Sequence, residues 1–148
     1  MPPLRRLVRL LRLDRRGWQD LLRAQAALLR AQWRLKREPV GALAIRDAID
    51  PDRVTGDPVR AQALAVAVQR VAAHGVFRPY CLVQAMAIRE LLVAEQIHGA
   101  SIRIGVRRHA GAFQAHAWVR WGEAILGDQP AHVATFTEVD DLRVLGRP

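Results

Sequence analysis

Three residues of the 148-residue chain have the types and the order that suit nucleophilic catalysis by a thiol: Cys81, His116 and Asp128. Cys81 is the only cysteine, and it follows Arg78-Pro79-Tyr80, which predicts the start of a helix. At a helix N-terminus the unpaired backbone N–H groups and the helix dipole favour the thiolate over the thiol. The alternative is that Cys81 is a small buried hydrophobic residue without a chemical role, since free cysteines are often buried.

His116 and Asp128 are predicted to lie on neighbouring strands. His116 stands in the middle of an alternating segment, on the face opposite its apolar residues. Asp128 comes after a turn at Gly122, so antiparallel pairing would bring the two side chains together. A carboxylate beside the imidazole would orient the ring and stabilise its cationic form. Each residue also has an ordinary alternative: a strand histidine without a task, and a turn aspartate after Gly127.

Helices are predicted to precede the strands. Asp57-Pro58 combines a helix-capping residue with proline at the first helical position, and Gly75 marks the end of that helix. The helix that begins near Cys81 is predicted to run to about Ile97-His98 and to end at Gly99. Its residues are apolar nearly all round, which is typical of a buried helix.

After the second helix the apolar period changes to two, which predicts strands. The predicted strands are Ile102 to Val106, Phe113 to Trp121, Ala124 to Leu126 and, more weakly patterned, Val133 to Thr137. Trp118 and Trp121 fall on opposite faces of the second strand, so at most one of them is expected in the core. Helices followed by an antiparallel meander predict an α+β domain.

The basic charge of the chain is confined to its N-terminal arm. The sequence carries a formal net charge of +9, and residues 1–37 alone hold ten Arg and one Lys against Asp14 and Asp20. Residues 38–148 have equal numbers of basic residues and carboxylates. Leucines at helical spacing among the arginines predict one or two amphipathic helices in the arm, broken near Arg16-Gly17.

Three interpretations of the arm are open: an apolar stripe that packs on the domain, a docking surface for a partner protein, or a binder of an anionic surface. Turn-forming residues fill residues 38–56, which are predicted to be a linker with at most a short helix around residues 42–48. The predicted organisation is therefore a basic helical arm at 1–37, a linker at 38–56 and a core domain at 57–148.

Composition argues against several classes of protein. One cysteine rules out an intrachain disulfide and suits a reducing, cytoplasmic compartment. No apolar run approaches the roughly 18 residues that span a bilayer. The neutral balance outside the arm and the lack of a recognition motif argue against nucleic-acid binding. No metal site is predicted, because the spacing of the remaining histidines does not match that of zinc ligands, and these are expected at the surface or in loops: His74, His98, His109 and His132.

Four segments carry a family resemblance: Arg78-Pro79-Tyr80-Cys81-Leu82, Ile102 to Arg107, Ala115-His116-Ala117-Trp118-Val119 and Leu126-Gly127-Asp128. Together they resemble the leader peptidases of lasso peptide biosynthesis, which have a transglutaminase-like, papain-like cysteine hydrolase fold. The resemblance covers residues 57 to about 135. It implies that a buried Cys-bearing helix packs on an antiparallel sheet, with Cys81 as nucleophile, His116 as general base and then acid, and Asp128 as the orienting residue.

The resemblance implies a cysteine protease that removes the leader from a ribosomally made precursor peptide, without metal, nucleotide or other cofactor. A separate ATP-dependent macrolactam cyclase would then close the core peptide into a ring. This cyclase is a further candidate partner of the chain. Longer relatives carry a leader-binding module, the RiPP recognition element, before the peptidase. No such module precedes the arm, so a separate leader-binding protein is expected, with the arm as its candidate docking surface.

Substrate contacts are assigned to Tyr80, Trp118 and Arg120. Arg120 shares a predicted strand face with His116 and stands where the family often has an acidic residue. The substrate preference of this chain is therefore expected to differ from that of the family. The same three catalytic residues would also serve a transglutaminase-like acyl transfer to an amine, or hydrolysis of another amide. A non-enzymatic basic binding module with an inert Cys81 is the remaining alternative.

Overall fold

The computed structural model describes residues 12–38 and 53–139. Its elements are helices α1 (Arg15–Arg37), α2 (Pro58–His74) and α3 (Cys81–Ala94), strands β1 (Ala100–His109), β2 (Ala112–Trp121) and β3 (Ala124–Leu126), a short helix α4 (Pro130–Val133) and strand β4 (Thr137–Glu138). This order of helices and then strands confirms the predicted α+β class. The first part of the arm and the short helix considered for residues 42–48 lie outside the described residues. Within the described ranges, no helix combines the length and the apolar character needed to cross a bilayer.

The four strands form one antiparallel sheet in the order β3-β2-β1-β4. β1 and β2 pair along their whole length, with Gly105 opposite His116 and Ala100 opposite Trp121. β3 pairs with β2 only from Ala124 to Leu126, which stands opposite Val119. The edge of β2 beside His116 is therefore not covered by β3.

Both faces of this sheet are covered. Val119, Trp121 and Leu126 pack into the core formed with the three long helices. On the opposite face, the Trp118 ring and Phe136 both lie close to Gly105. Trp118 is 4% exposed and Trp121 is 6% exposed, so the prediction that at most one of them is buried is wrong. The reason is that the segment after β3 folds back and covers the face that the helices leave open.

The two predicted helices of the core begin where expected. Asp57 caps α2 through a 2.9 Å hydrogen bond from the Val59 backbone N–H, and Gly75 follows its last residue. α3 ends at Ala94, earlier than predicted. The helix stops because Gln96 has a left-handed backbone (φ 58°), and His98 then forms an antiparallel bridge with Thr55.

The segment after β3 differs most from prediction. A strand was expected over Val133 to Thr137, but Pro130 begins the short helix α4 and only Thr137–Glu138 is strand. Proline favours the first position of a helix, since its fixed φ is helical and its missing N–H is not needed there. Val133, the last residue of α4, is buried, which agrees with its apolar character.

α1 is one continuous helix and its inner face is part of the core. Asp14 caps it by accepting a 2.9 Å hydrogen bond from the Gly17 backbone N–H, so the helix begins at Arg15, close to the predicted break near Arg16-Gly17. The inner face is formed by small residues and one leucine, all buried: Ala24, Ala27, Leu28 and Ala31. Small side chains allow close approach of α1 to α2 and α3. This inner face of the described part of the arm therefore packs on the domain.

A cluster of charged side chains links the three long helices through hydrogen bonds. The Arg60 guanidinium on α2 donates to both oxygens of Asp20 on α1, at 2.6 and 2.7 Å, and also to Glu95 at the end of α3. Arg23 on α1 donates to the same Glu95 carboxylate at 2.6 Å. These hydrogen bonds, from Arg60 first, lower the pKa of Glu95 to about 2. The paired charges fix the position of α1 and of the α3 end relative to α2.

Candidate active site

His116 and Asp128 are in contact, as the sequence predicted. His116 lies in the middle of β2, and Asp128 follows Leu126, the last residue of β3, by two positions. His116 donates from Nε2 to Oδ2 of Asp128, and the two side chains are 19% and 15% exposed. Because a carboxylate can only accept, Nε2 carries the proton in this pair. Nδ1 is then the ring nitrogen left for proton exchange.

Gly127 determines how the chain delivers Asp128 to His116. Its backbone is left-handed (φ 78°), and a Cβ there would lie 2.4 Å from Cδ1 of Ile88 on α3. Only glycine satisfies both conditions, since other residues are strained in this region and would collide with the helix. The close approach of α3 therefore fixes the turn that ends β3.

The His116 ring is held in a cluster of other rings. Trp118 stacks with it at a centroid distance of 6.1 Å, and Phe136 lies at 5.1 Å. The Arg107 guanidinium sits 4.4 Å above the Phe136 ring. A Cβ at Gly105 would lie 2.7 Å from the Trp118 ring, so the strand must have glycine there for this packing. The cluster restricts rotation of the imidazole.

His132 is a member of the site that sequence reasoning missed. Its Nδ1 lies 3.0 and 3.2 Å from the two oxygens of Asp128, and its ring meets His116 at a centroid distance of 4.9 Å. The sequence predicts a surface or loop position for this residue, and its side chain is 43% exposed. The available signal was the spacing of four residues after Asp128, across Pro130, which favours a helical turn.

The Asp128 carboxylate is held in its ionised form. Partial burial by itself would raise its pKa, but hydrogen bonds from His116, the Gln129 backbone N–H and His132 outweigh this effect, so the pKa lies below its usual value. The Gln129 N–H donates at 2.7 Å. Asp128 is therefore charged at neutral pH and stabilises a cationic imidazole.

The same residues form a set of metal donors. Ligand atoms of His116, Asp128 and His132 lie within 4.8 Å of one another. Two imidazoles and a carboxylate are ligands that first-row transition metals accept. The spacing of these residues in the sequence does not predict this set of donors, because the fold brings them together. β2 supplies one ligand, and the segment after β3 supplies the other two.

Cys81 is the first residue of α3, as predicted, and it is a half-buried free thiol. The Gln84 side-chain amide donates to the Pro79 carbonyl at 3.1 Å and so supports the chain just before the helix. Within residues 12–38 and 53–139, the structure contains no hydrogen bond between the thiol and His116.

α3 and the residues that follow it contact the sheet at two points. Near its end, the His98 carbonyl accepts a 2.8 Å hydrogen bond from Nε1 of Trp121, the last residue of β2. Further back along the helix, Ile88 contacts Gly127. Cys81 lies on the same helix face as Ile88 but two turns earlier, about 10.5 Å along the axis. The start of α3, with its half-buried thiol, therefore lies two helical turns before the contact with Gly127.

The three proposed substrate contacts differ in their surroundings. Tyr80 is 75% exposed beside Cys81 and is free to meet a substrate. Arg120 is half-buried, and its Nε donates to the Gly122 carbonyl at 3.3 Å. Trp118, at 4% exposed, packs beneath His116, and this burial argues against direct contact with substrate.

The family described as the transglutaminase-like superfamily matches residues 4–140 of the chain. This span includes most of the basic arm and all three candidate catalytic residues. No curated protein and no solved structure matches the chain. The family match, with helices packed on a four-stranded antiparallel sheet, confirms the predicted transglutaminase-like fold.

The fit between Gly127 and α3 is testable with a matched pair of variants. Gly127→Ala and Gly111→Ala both place a Cβ at a positive φ, but nothing lies within 4 Å of Gly111. We expect Gly111→Ala to cost about 1 kcal/mol from backbone strain, and Gly127→Ala to cost about 1–3 kcal/mol more from the collision with Ile88. Urea unfolding measures both. Equal losses would show that Ile88 moves aside without cost.

Proposed function

Because the chain belongs to the transglutaminase-like superfamily, we propose that it is a cysteine peptidase that removes the leader from a ribosomally synthesised lasso peptide precursor. The observation that carries the proposal is the hydrogen-bonded His116–Asp128 pair, together with a half-buried free thiol at the first residue of α3. The segments around Cys81, His116 and Asp128 are also those that resemble the leader peptidases. We place the activity in the cytoplasm, where a single free thiol stays reduced.

The proposed reaction begins at the thiol. His116 accepts the Cys81 proton at Nδ1, and the thiolate attacks the carbonyl carbon of the scissile peptide bond. The imidazolium, held by Asp128, then donates its proton to the leaving amine, which departs as the N-terminus of the core peptide. A thioester between Cys81 and the leader remains. Water activated by His116 hydrolyses this thioester and restores the free thiol.

The proposed substrate is an extended segment at the junction between leader and core. Tyr80 is the candidate contact best placed to meet it, since it is exposed and adjacent to the nucleophile. The product is a core peptide with a free N-terminal amine. That amine is the group that a separate ATP-dependent macrolactam cyclase would join to a side-chain carboxylate.

Transfer of the acyl group to an amine is the second candidate activity, and the family match favours it equally. Transglutaminase-like chemistry passes through the same thioester, and an amine then takes the place of water. The two activities differ only in the group that ends up on the leader carbonyl. The mass of the leader product therefore separates them.

The proposed activity is tested by mass spectrometry of a lasso-type precursor incubated with its leader-binding protein and this chain. We expect one cut, at the junction, with wild type and none with Cys81→Ala, because the thiol forms the intermediate. Methylamine is added to a parallel sample. A free carboxylate on the leader in both samples indicates hydrolysis, whereas a methylamide in the second indicates acyl transfer. Failure to cut several precursors that the leader-binding protein demonstrably holds would contradict the proposal.

We further propose that the leader-binding protein docks on the outer face of α1. Four large apolar side chains are exposed there: Trp18 at 45%, Leu22 at 69%, Leu29 at 49% and Trp33 at 56%. Their spacing of four, seven and four residues places them within about 60° of the helix circumference. This outer ridge lies opposite the buried alanine face. A narrow line of large side chains suits the apolar groove of a protein.

Charge defines the partner further. The arm of residues 1–37 carries ten Arg and one Lys against two Asp, and Arg37 covers the Trp33 ring at 4.2 Å. A groove bordered by carboxylates would complement this surface and speed association. Because the inner face of α1 belongs to the core, deleting residues 1–37 would damage the fold itself. Point substitutions on the outer ridge are the appropriate test.

We expect Leu22→Ser with Leu29→Ser to weaken binding of the purified leader-binding protein by about tenfold or more, because two exposed apolar anchors are lost. Phe113→Ser is the matched control, since Phe113 is 75% exposed but lies on the β1–β2 hairpin. Calorimetry measures the affinity, and alkylation of Cys81 checks that the site is intact. Unchanged affinity in the double variant, or binding to anionic vesicles but not to the protein, would contradict this docking surface.

A further inference from the structure

The Asp128 carboxylate interacts with two imidazoles, those of His116 and His132. Oδ2 accepts from His116, and Oδ1 accepts from the Gln129 backbone N–H at 2.7 Å. Nδ1 of His132 lies within hydrogen-bond distance of both oxygens, at 3.0 and 3.2 Å. A donor that faces both oxygens fixes the plane of the carboxylate as well as its position. The orientation of the acceptor of His116 therefore depends on His132.

From this geometry we propose that His132 is a positioning residue for the thiol site, acting through Asp128 on His116. The inference rests on the proposed thiol chemistry and deepens it, because it adds a fourth residue to the catalytic group. His132 does not reach the reacting atoms. Its task is to hold the carboxylate in the orientation that keeps the His116 ring ready to exchange a proton at Nδ1.

His132 is itself held in place by its neighbours. Its ring meets Phe136 edge-on at a centroid distance of 5.4 Å and an interplanar angle of 85°. Its backbone carbonyl accepts a 2.7 Å hydrogen bond from the Thr135 hydroxyl, and that hydroxyl in turn accepts from Arg107 at 2.8 Å. The donor nitrogen is therefore presented to Asp128 by a constrained ring on a constrained backbone.

The exposure of His132 separates this role from a contribution to folding. Its side chain is 43% exposed, whereas those of His116 and Asp128 are 19% and 15% exposed. A hydrogen bond at such an exposed position adds little to the stability of the fold, because water replaces the lost donor. Water does not, however, reproduce the fixed direction of the N–H bond. Loss of the donor should thus affect reactivity more than stability.

Two variants of His132 separate the effect of its N–H donor from the effect of its ring. His132→Asn keeps an N–H donor close to the place of Nδ1 and removes the ring. His132→Phe keeps a ring that packs on Phe136 and removes the donor. The measurement is the second-order rate constant for alkylation of Cys81 by iodoacetamide at neutral pH in the full-length protein, with thermal unfolding of each variant beside it. His109→Phe, on an exposed strand end, is the control.

We expect His132→Phe to lower the alkylation rate by about tenfold, the usual effect of losing one hydrogen bond to a charged group. The alkylation rate of His132→Asn should stay within about threefold of the wild-type rate, because this variant keeps the hydrogen-bond donor. Both variants and the control should unfold at nearly the wild-type temperature. This pattern of rescue by the donor alone is not produced by a purely structural role.

Two results would overturn the inference. Equal rates for wild type and His132→Phe would show that Asp128 holds its orientation without His132. Equal losses in the two variants, accompanied by a lower unfolding temperature, would show that the ring acts through packing. A wild-type Cys81 that reacts no faster than in His116→Ala is a different outcome, because it would reject the proposed thiol chemistry together with this inference.

Discussion

The hydrogen bond from His116 to Asp128 is the interaction on which the arrangement of the whole site depends. It joins the middle of β2 to the residue that ends the β3 turn, so it requires the register in which Leu126 stands opposite Val119. It also fixes which nitrogen of the imidazole is free to exchange a proton. The left-handed turn at Gly127, the ring cluster around His116 and the donor from His132 all act on this one contact.

The helices place the thiol relative to that contact. α3 is pressed against the sheet through Ile88 at the Gly127 turn, so the same approach that sets the position of Asp128 also aligns the helix that carries Cys81. α1 supports α3 from behind through its buried alanines, and Arg60 ties both helices to α2 through Asp20 and Glu95. The described part of the basic arm is thus structural on its inner face, while large apolar side chains of its outer face are exposed.

Local sequence signals predicted what local physics decides. The Asp57-Pro58 cap, the helix start at Cys81 and the period-two strands are set by backbone preferences within a few residues, and each is found where expected. The pairing of His116 with Asp128 was predictable from strand alternation and one turn. The differences from prediction have both local and distant causes, since Gln96 and Pro130 act within their own segments. The bridge from His98 to Thr55 contributes to the early end of α3, and the fold-back of Phe136 covers the face that carries Trp118. The helical turn that begins at Pro130 brings His132 to Asp128.

The central claim is that Cys81, His116 and Asp128 act as one unit. Its most direct test is the rate of Cys81 alkylation in wild type, His116→Ala, Asp128→Asn and the double variant. We predict that each single change slows alkylation by about tenfold or more, and that the double variant is no slower than His116→Ala alone, because Asp128 acts only through the imidazole. A thiol that reacts equally in wild type and His116→Ala would contradict the claim.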